Sequence, residues 1–115
     1  MTAFRLYLAA IWIVLIVYTL VVGAEHGWNL LAVFFADMAA MGWAGQFNLD
    51  FMMFLSLFGL WLAWRHDFTP GGIALGVAGF FLGMSLLAPY VIYLTVRARG
   101  DMKRVLLGDR KAAAA

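Results

Sequence analysis

The sequence predicts an all-α integral membrane protein with three transmembrane helices and a short interfacial or re-entrant helix between the first and second. Three observations carry this expectation. Hydrophobic residues make up 66% of the chain and charged residues 12%, with a mean hydropathy of +0.94, which is too little charge to clothe a water-soluble domain. Long uncharged runs occupy the beginning, middle and end of the chain, and the polar side chains collect at their edges. Six of the eight Lys and Arg follow residue 96, and a basic cluster beside a membrane helix meets anionic lipid more often than nucleic acid. A length of 115 residues implies one membrane domain. The absence of cysteine excludes disulfides, thiolate metal sites and thiol nucleophiles.

The first span is expected over residues 6–24. These 19 residues carry no charge and extend about 28 Å as a helix, enough for the hydrocarbon core. Tyr7 is placed to anchor at an interface. A signal peptide, with Arg5 as its positive region and Val22-Gly23-Ala24 as its cleavage site, is the competing reading.

Glu25-His26-Gly27 ends that run, and a helix over about 29–41 is expected to lie in the interface or tuck against the bundle. A fourth span here would place Asp37 near the bilayer centre, at a cost of about 2.5–3.5 kcal/mol. Three spans are therefore expected.

The second span, about 47–65, must begin before Asp50 because residues 51–64 cover only about 21 Å. Asn48 is the natural N-cap, and Asp50 falls in the first turn, where the helix dipole favours a carboxylate. Trp61 and Trp64 occupy the aromatic belt at the other end.

The third span, about 70–96, opens with Thr69 as N-cap and Pro70 at the first helical position. Gly72, Gly76, Gly79 and Gly83 fall on one face of this helix, a small-residue seam suited to packing against the first span or a neighbouring chain. Pro89 removes a backbone hydrogen bond near Ser85 and is expected to kink the last third. In the basic tail, 97–115, residues 101–108 form an amphipathic turn or two, with Arg99, Lys103 and Arg104 as lipid-headgroup contacts. The terminal alanines are expected to fray.

With three spans, Arg5 and Arg65 share one side and the tail the other. Six cations against two place the C-terminus in the cytoplasm and the N-terminus outside a bacterial inner membrane. Asp50 and Arg97 would then meet as an ion pair between antiparallel helices.

Glu25-His26-Gly27, Asn29-Leu30, Phe34-Phe35, Leu49-Asp50, Gly83-Met84-Ser85-Leu86, Pro89 and Tyr93-Leu94 together resemble one family. It is the group of small bacterial three-helix membrane proteins known as a domain of unknown function, DUF 2834. The likeness covers about residues 5–97. The chain departs from it at Trp64-Arg65-His66, where the family tends toward an acidic residue followed by arginines, and in the basic tail. The resemblance implies the three-helix fold and supplies no activity.

No catalytic triad, carboxylate pair, P-loop or dinucleotide fingerprint occurs, so no catalytic residue, metal site or cofactor is expected. His26 and His66 stand at helix ends and read as interfacial. The expected function is a non-catalytic accessory or scaffold subunit of a larger inner-membrane complex. Its partners are anionic lipids and other transmembrane subunits, with no nucleic acid. Gln46, Asn48, Asp50 and Arg97 form the possible polar or partner site. One alternative is a protomer of a homo-oligomeric small-solute transporter, its site between protomers lined by Gln46, Asn48, Asp50 and Tyr90. Another is a subunit that binds lipid, quinone or carotenoid along the glycine seam.

Overall fold

Two helices, α1 (Thr2–His26) and α3 (Trp43–Arg65), are long and apolar enough to cross a bilayer. The computed structural model describes all of residues 1–115 and is entirely helical outside short turns. Between the two long helices lies α2 (Leu30–Ala39), and after them come α4 (Pro70–Leu82), α5 (Met84–Arg97), α6 (Met102–Leu107) and α7 (Asp109–Ala114). At ten residues α2 spans only about 15 Å, too short to cross. It packs antiparallel on the start of α3. There Gly45 meets the Asp37 backbone and the Asn48 side-chain amide donates to the Phe34 carbonyl at 3.1 Å.

The expected third span is not one helix. Gly83 ends α4 and begins α5, with φ +57° and ψ −130°, a conformation open to glycine and strained for any other residue. Its N–H donates to the Gly79 carbonyl, and its own carbonyl accepts from Leu86 and Leu87. The chain reverses at this point. Gly72 at the start of α4 lies against His66, and Tyr90 of α5 returns to hydrogen-bond the same histidine. In a continuous helix residues 72 and 90 would stand about 27 Å apart. Thr69 caps α4 as its sequence suggests, accepting from the Gly72 N–H at 3.1 Å, with Pro70 at the first turn.

The arms of this hairpin part company. The α4 arm lies along α3, where the glycines are consumed. A Cβ at Gly76 would meet the Gly59 carbonyl oxygen at 2.6 Å, and one at Gly79 would meet Leu62 and Phe58. The seam therefore packs against the second long helix, not against α1 or another chain, because the short α3–α4 turn makes those two helices neighbours. The α5 arm lies antiparallel to α1, with Arg5 bonded to Thr95 and Trp12 to Ser85. Pro89 sits inside α5, and the break expected from it falls at Gly83 instead.

Reversal at Gly83 redistributes the ends of the molecule. The N-terminus, the end of α3 and the end of α5 lie together, so the expected separation of the N-terminus from the tail does not hold. Asn48 is not an N-cap, since α3 begins at Trp43. Asp50 stands two turns inside the helix, exposed and without an ion pair. Fifteen residues of helix, about 22 Å, separate it from the Arg65 end, where Arg97 lies. The expected Asp50–Arg97 pair does not form. Asp101 caps α6 through the Lys103 N–H, while Arg104 pairs with Asp109 at 2.9 Å. Ala112, Ala113 and Ala114 belong to α7, and Ala115 follows it.

Candidate functional site

Three helix C-termini converge at one end of the molecule, and each brings carbonyls that lack an intrahelical donor. Each also receives a cation from elsewhere in the chain. Arg5 reaches from α1 to the end of α5, donating through Nε to Thr95 Oγ1 at 3.0 Å and through Nη2 to the Thr95 carbonyl at 3.1 Å. Thr95 is fully buried, so these bonds satisfy groups that water does not reach. Arg65 donates to the Val105 carbonyl at 2.6 Å and the Arg104 carbonyl at 3.1 Å at the end of α6. Lys111 donates to the Trp64 carbonyl at the end of α3 and lies 4.5 Å from the centre of the Trp64 ring. Helix C-termini carry partial negative charge, which is the physical reason cations gather here.

The α3–α4 turn is held from the tail. Asp67 and Phe68 adopt φ of +59° and +55°, an uncommon conformation for residues other than glycine. Arg110 grips both Asp67 carboxylate oxygens, at 2.7 and 3.1 Å, and Lys111 bonds one of them. Hydrogen bonds from Arg110 and then Lys111 hold the Asp67 carboxyl well below the usual carboxylate range. Arg104 lowers Asp109 in the same way.

These residues enclose a cavity of about 460 Å³. Its walls carry four guanidiniums, from Arg65, Arg97, Arg104 and Arg110, against the two carboxylates of Asp67 and Asp109. Arg104 and Arg110 are the guanidiniums paired to those carboxylates. Arg65 and Arg97 have no carboxylate partner. Arg97 donates to the Tyr93 hydroxyl at 3.2 Å and lies 5.9 Å from the centre of its ring.

His66 shares the cavity wall with Tyr90, to which its Nε2 is hydrogen-bonded. Arg65 Nη1 approaches the same nitrogen at 3.4 Å, and a guanidinium only donates. Burial, then the positive charge of Arg65, pushes the His66 pKa below its ordinary value, consistent with a neutral ring.

Of the residues expected to form one polar site, Arg97 lies here, while Gln46, Asn48 and Asp50 lie in the opposite half of α3. Arg104 lines the cavity, whereas Arg99 and Lys103 lie outside it. His66, Tyr90 and Tyr93 carry no motif. The available sequence signal was Arg65-His66-Asp67, three ionisable residues in succession after a long apolar run. No cluster of His, Asp or Glu suited to a metal ion is present.

A second, apolar cavity of about 670 Å³ opens between α1, α3, α5 and α6, lined by Tyr7, Phe54, Phe58, Trp61, Met84 and other apolar side chains. Comparison with protein-family models, with curated proteins and with solved structures gives no match.

Proposed function

We propose that the chain is a non-catalytic accessory subunit of the bacterial inner membrane, built from two spanning helices and a re-entrant hairpin, with both termini in the cytoplasm. All eight Lys and Arg belong to the end of the molecule where Arg5, Arg65 and the tail meet. The excess of cations on cytoplasmic loops makes that end the inner one. On this reading α4 and α5, each about 20 Å long, enter from the cytoplasmic side and turn at Gly83 within the membrane. Non-helical backbone at that depth is tolerated where protein covers it, and Gly83 is buried against Leu55 and Phe51.

The observation that carries the subunit reading is the bare second half of α1. Trp12 makes the last side-chain hydrogen bond from α1 to the hairpin. Beyond it, Val14, Val17, Tyr18 and Val21 recur at helical spacing and are 50–71% exposed. Such a stripe suits a neighbouring transmembrane helix.

Because the chain lacks cysteine, single cysteines at Thr2, Gly42 and Ala113 report the orientation cleanly. A membrane-impermeant maleimide added to intact spheroplasts is expected to label position 42 alone. Labelling at position 2 from outside overturns the orientation. For the subunit reading, gentle solubilisation is expected to yield a particle larger than the 12.8 kDa chain. Val17→Phe, which stays apolar but blocks close approach, is expected to reduce it to the monomer. A parent that runs as a monomer under the mildest conditions removes the reading.

The apolar cavity favours a second reading, a subunit that holds a lipid, quinone or carotenoid between α1 and α3. An absorption spectrum and an organic extract of gently purified protein decide it: a stoichiometric apolar molecule supports this reading, and bulk lipid alone removes it. Within one chain Tyr90 lies with His66, in the half of the molecule opposite Gln46, Asn48 and Asp50, so a transporter site lined by all four would have to form between protomers.

A further inference from the structure

We propose that the cavity walled by Arg65, His66, Tyr93 and Arg97 is a binding site for a phosphate ester, supplied in the membrane by the phosphodiester of an anionic phospholipid headgroup. Both oxygens of Asp67 are taken by Arg110 and Lys111, and one oxygen of Asp109 by Arg104. His66 Nε2 is engaged by Tyr90 and Arg65. What stays open is on the donor side. Arg97 uses one of its five N–H groups, on the Tyr93 hydroxyl, leaving four. That hydroxyl accepts from Arg97 and keeps its own proton to donate. Arg65 retains one N–H on each terminal nitrogen after bonding the α6 carbonyls and approaching His66. Among the carboxylate oxygens only the outer one of Asp109 is unengaged.

A cavity with two guanidiniums that lack a carboxylate partner, and with side-chain N–H and O–H groups left free, is matched by an anion with several acceptor oxygens. Guanidinium forks suit phosphate in particular, because two parallel N–H groups meet two oxygens. A space of about 460 Å³ is ample for a phosphate with its glycerol.

The source follows from the membrane reading above, on which the lipid assignment rests. The cavity lies at the end of α3 marked by Trp61 and Trp64, the level at which aromatic side chains and headgroups meet. The proposal differs from general attraction of the basic tail to a charged surface in one respect. Arg97 faces the cavity, whereas Arg99, two residues on, does not line it. A diffuse field treats the two alike, and a site does not.

The test uses the full chain in a zwitterionic detergent. Phosphatidylglycerol in mixed micelles and, separately, inorganic phosphate are titrated while thermal stability and the His66 imidazole resonances are followed. Phosphatidylglycerol is expected to raise the melting temperature saturably and to raise the His66 pKa as negative charge enters beside the ring. Arg97→Gln and Tyr93→Phe, both at exposed side chains that the fold does not need, are expected to weaken binding. The loss for Arg97→Gln is about tenfold, one charge-assisted hydrogen bond. Arg99→Gln is expected to stay within about twofold of the parent. Saturable binding of inorganic phosphate without a response to phosphatidylglycerol supports the phosphate site and overturns its lipid occupant. No response to either, or equal losses for Arg97→Gln and Arg99→Gln, overturns the site. Because binding is read in detergent, it is independent of the cysteine labelling that tests membrane orientation.

Discussion

Trp12 Nε1 donates a hydrogen bond of 2.9 Å to the carbonyl oxygen of Ser85. In a regular helix that carbonyl would accept from residue 89, and residue 89 is a proline with no N–H to give. One helix thus supplies the donor that another lacks, and the supply ties α1 to α5 beside the turn of the hairpin. The bond serves packing and backbone satisfaction together, which makes it a sensitive place to test the fold.

Trp12→Phe is expected to cost about 1–3 kcal/mol, the penalty for a carbonyl left without a donor in a poorly hydrated place. Pro89→Ala restores the intrahelical N–H, so the double substitution is expected to lose less than Trp12→Phe alone. Thermal unfolding of the four proteins in mild detergent measures the coupling. Purely additive effects would show that Ser85 draws its donor from elsewhere.

Gly76→Ala places a methyl group where the Gly59 carbonyl oxygen stands 2.6 Å from the added carbon. Backbone does not yield cheaply, so a loss of about 1–3 kcal/mol is expected as α3 and α4 separate. Gly71→Ala is the contrast, because nothing lies within 4 Å of its added carbon. There a gain of about 0.4–1 kcal/mol is expected, from a stiffer unfolded chain. Equal effects at the two positions would mean that the α3–α4 contact is not tight.

Asp50→Asn and Arg97→Leu are expected to act independently, with effects that add within about 0.5 kcal/mol. The two residues lie at different levels of the molecule, about 22 Å apart along α3. A straight third span would make them neighbours. A double-mutant cycle with clear coupling would therefore argue for the straight helix and against the turn at Gly83.

His66 makes stability depend on pH. Its folded pKa lies below the ordinary histidine value, through burial first and Arg65 second, so the folded state resists protonation. Its stabilising effect is complete above the unfolded pKa and is lost as pH falls through the folded value. Melting temperature is expected to decline as pH drops below about 6.5. His66→Gln, which keeps a polar group near Tyr90 without titrating, is expected to flatten that part of the profile. An unchanged profile in the variant would assign the decline to another group.

Local features were legible in the residues. Thr69-Pro70 announced the start of α4, residues 29–41 bracketed α2, and Pro89 pointed to a missing bond at Ser85. Each depends on atoms a few positions apart in the chain. The glycine spacing of four, three and four put those residues on one face, although it did not show which helix would lie against it. The polar site was legible only in part. Arg97 was singled out, but its companions Arg65, His66 and Tyr93 are separated from one another by up to 28 positions.

Composition determined that this chain is apolar, and residue order that its cations gather after residue 96, because hydropathy and charge are read along the chain and need no coordinates. Where the third apolar stretch goes was decided by tertiary structure. Residues 71–96 are uncharged and long enough to cross, and nothing in their hydropathy distinguishes a straight helix from two short ones. The difference lies in Gly83. It takes a left-handed φ because α3 and α1 each offer a groove to one arm, and Trp12 fills the bond that Pro89 leaves open. A glycine permits a turn in any context, but only the packing of α4 on α3 and α5 on α1 makes the turned form lower in free energy. That turn brings Arg5 to Thr95, Tyr90 to His66 and Arg97 to the cavity.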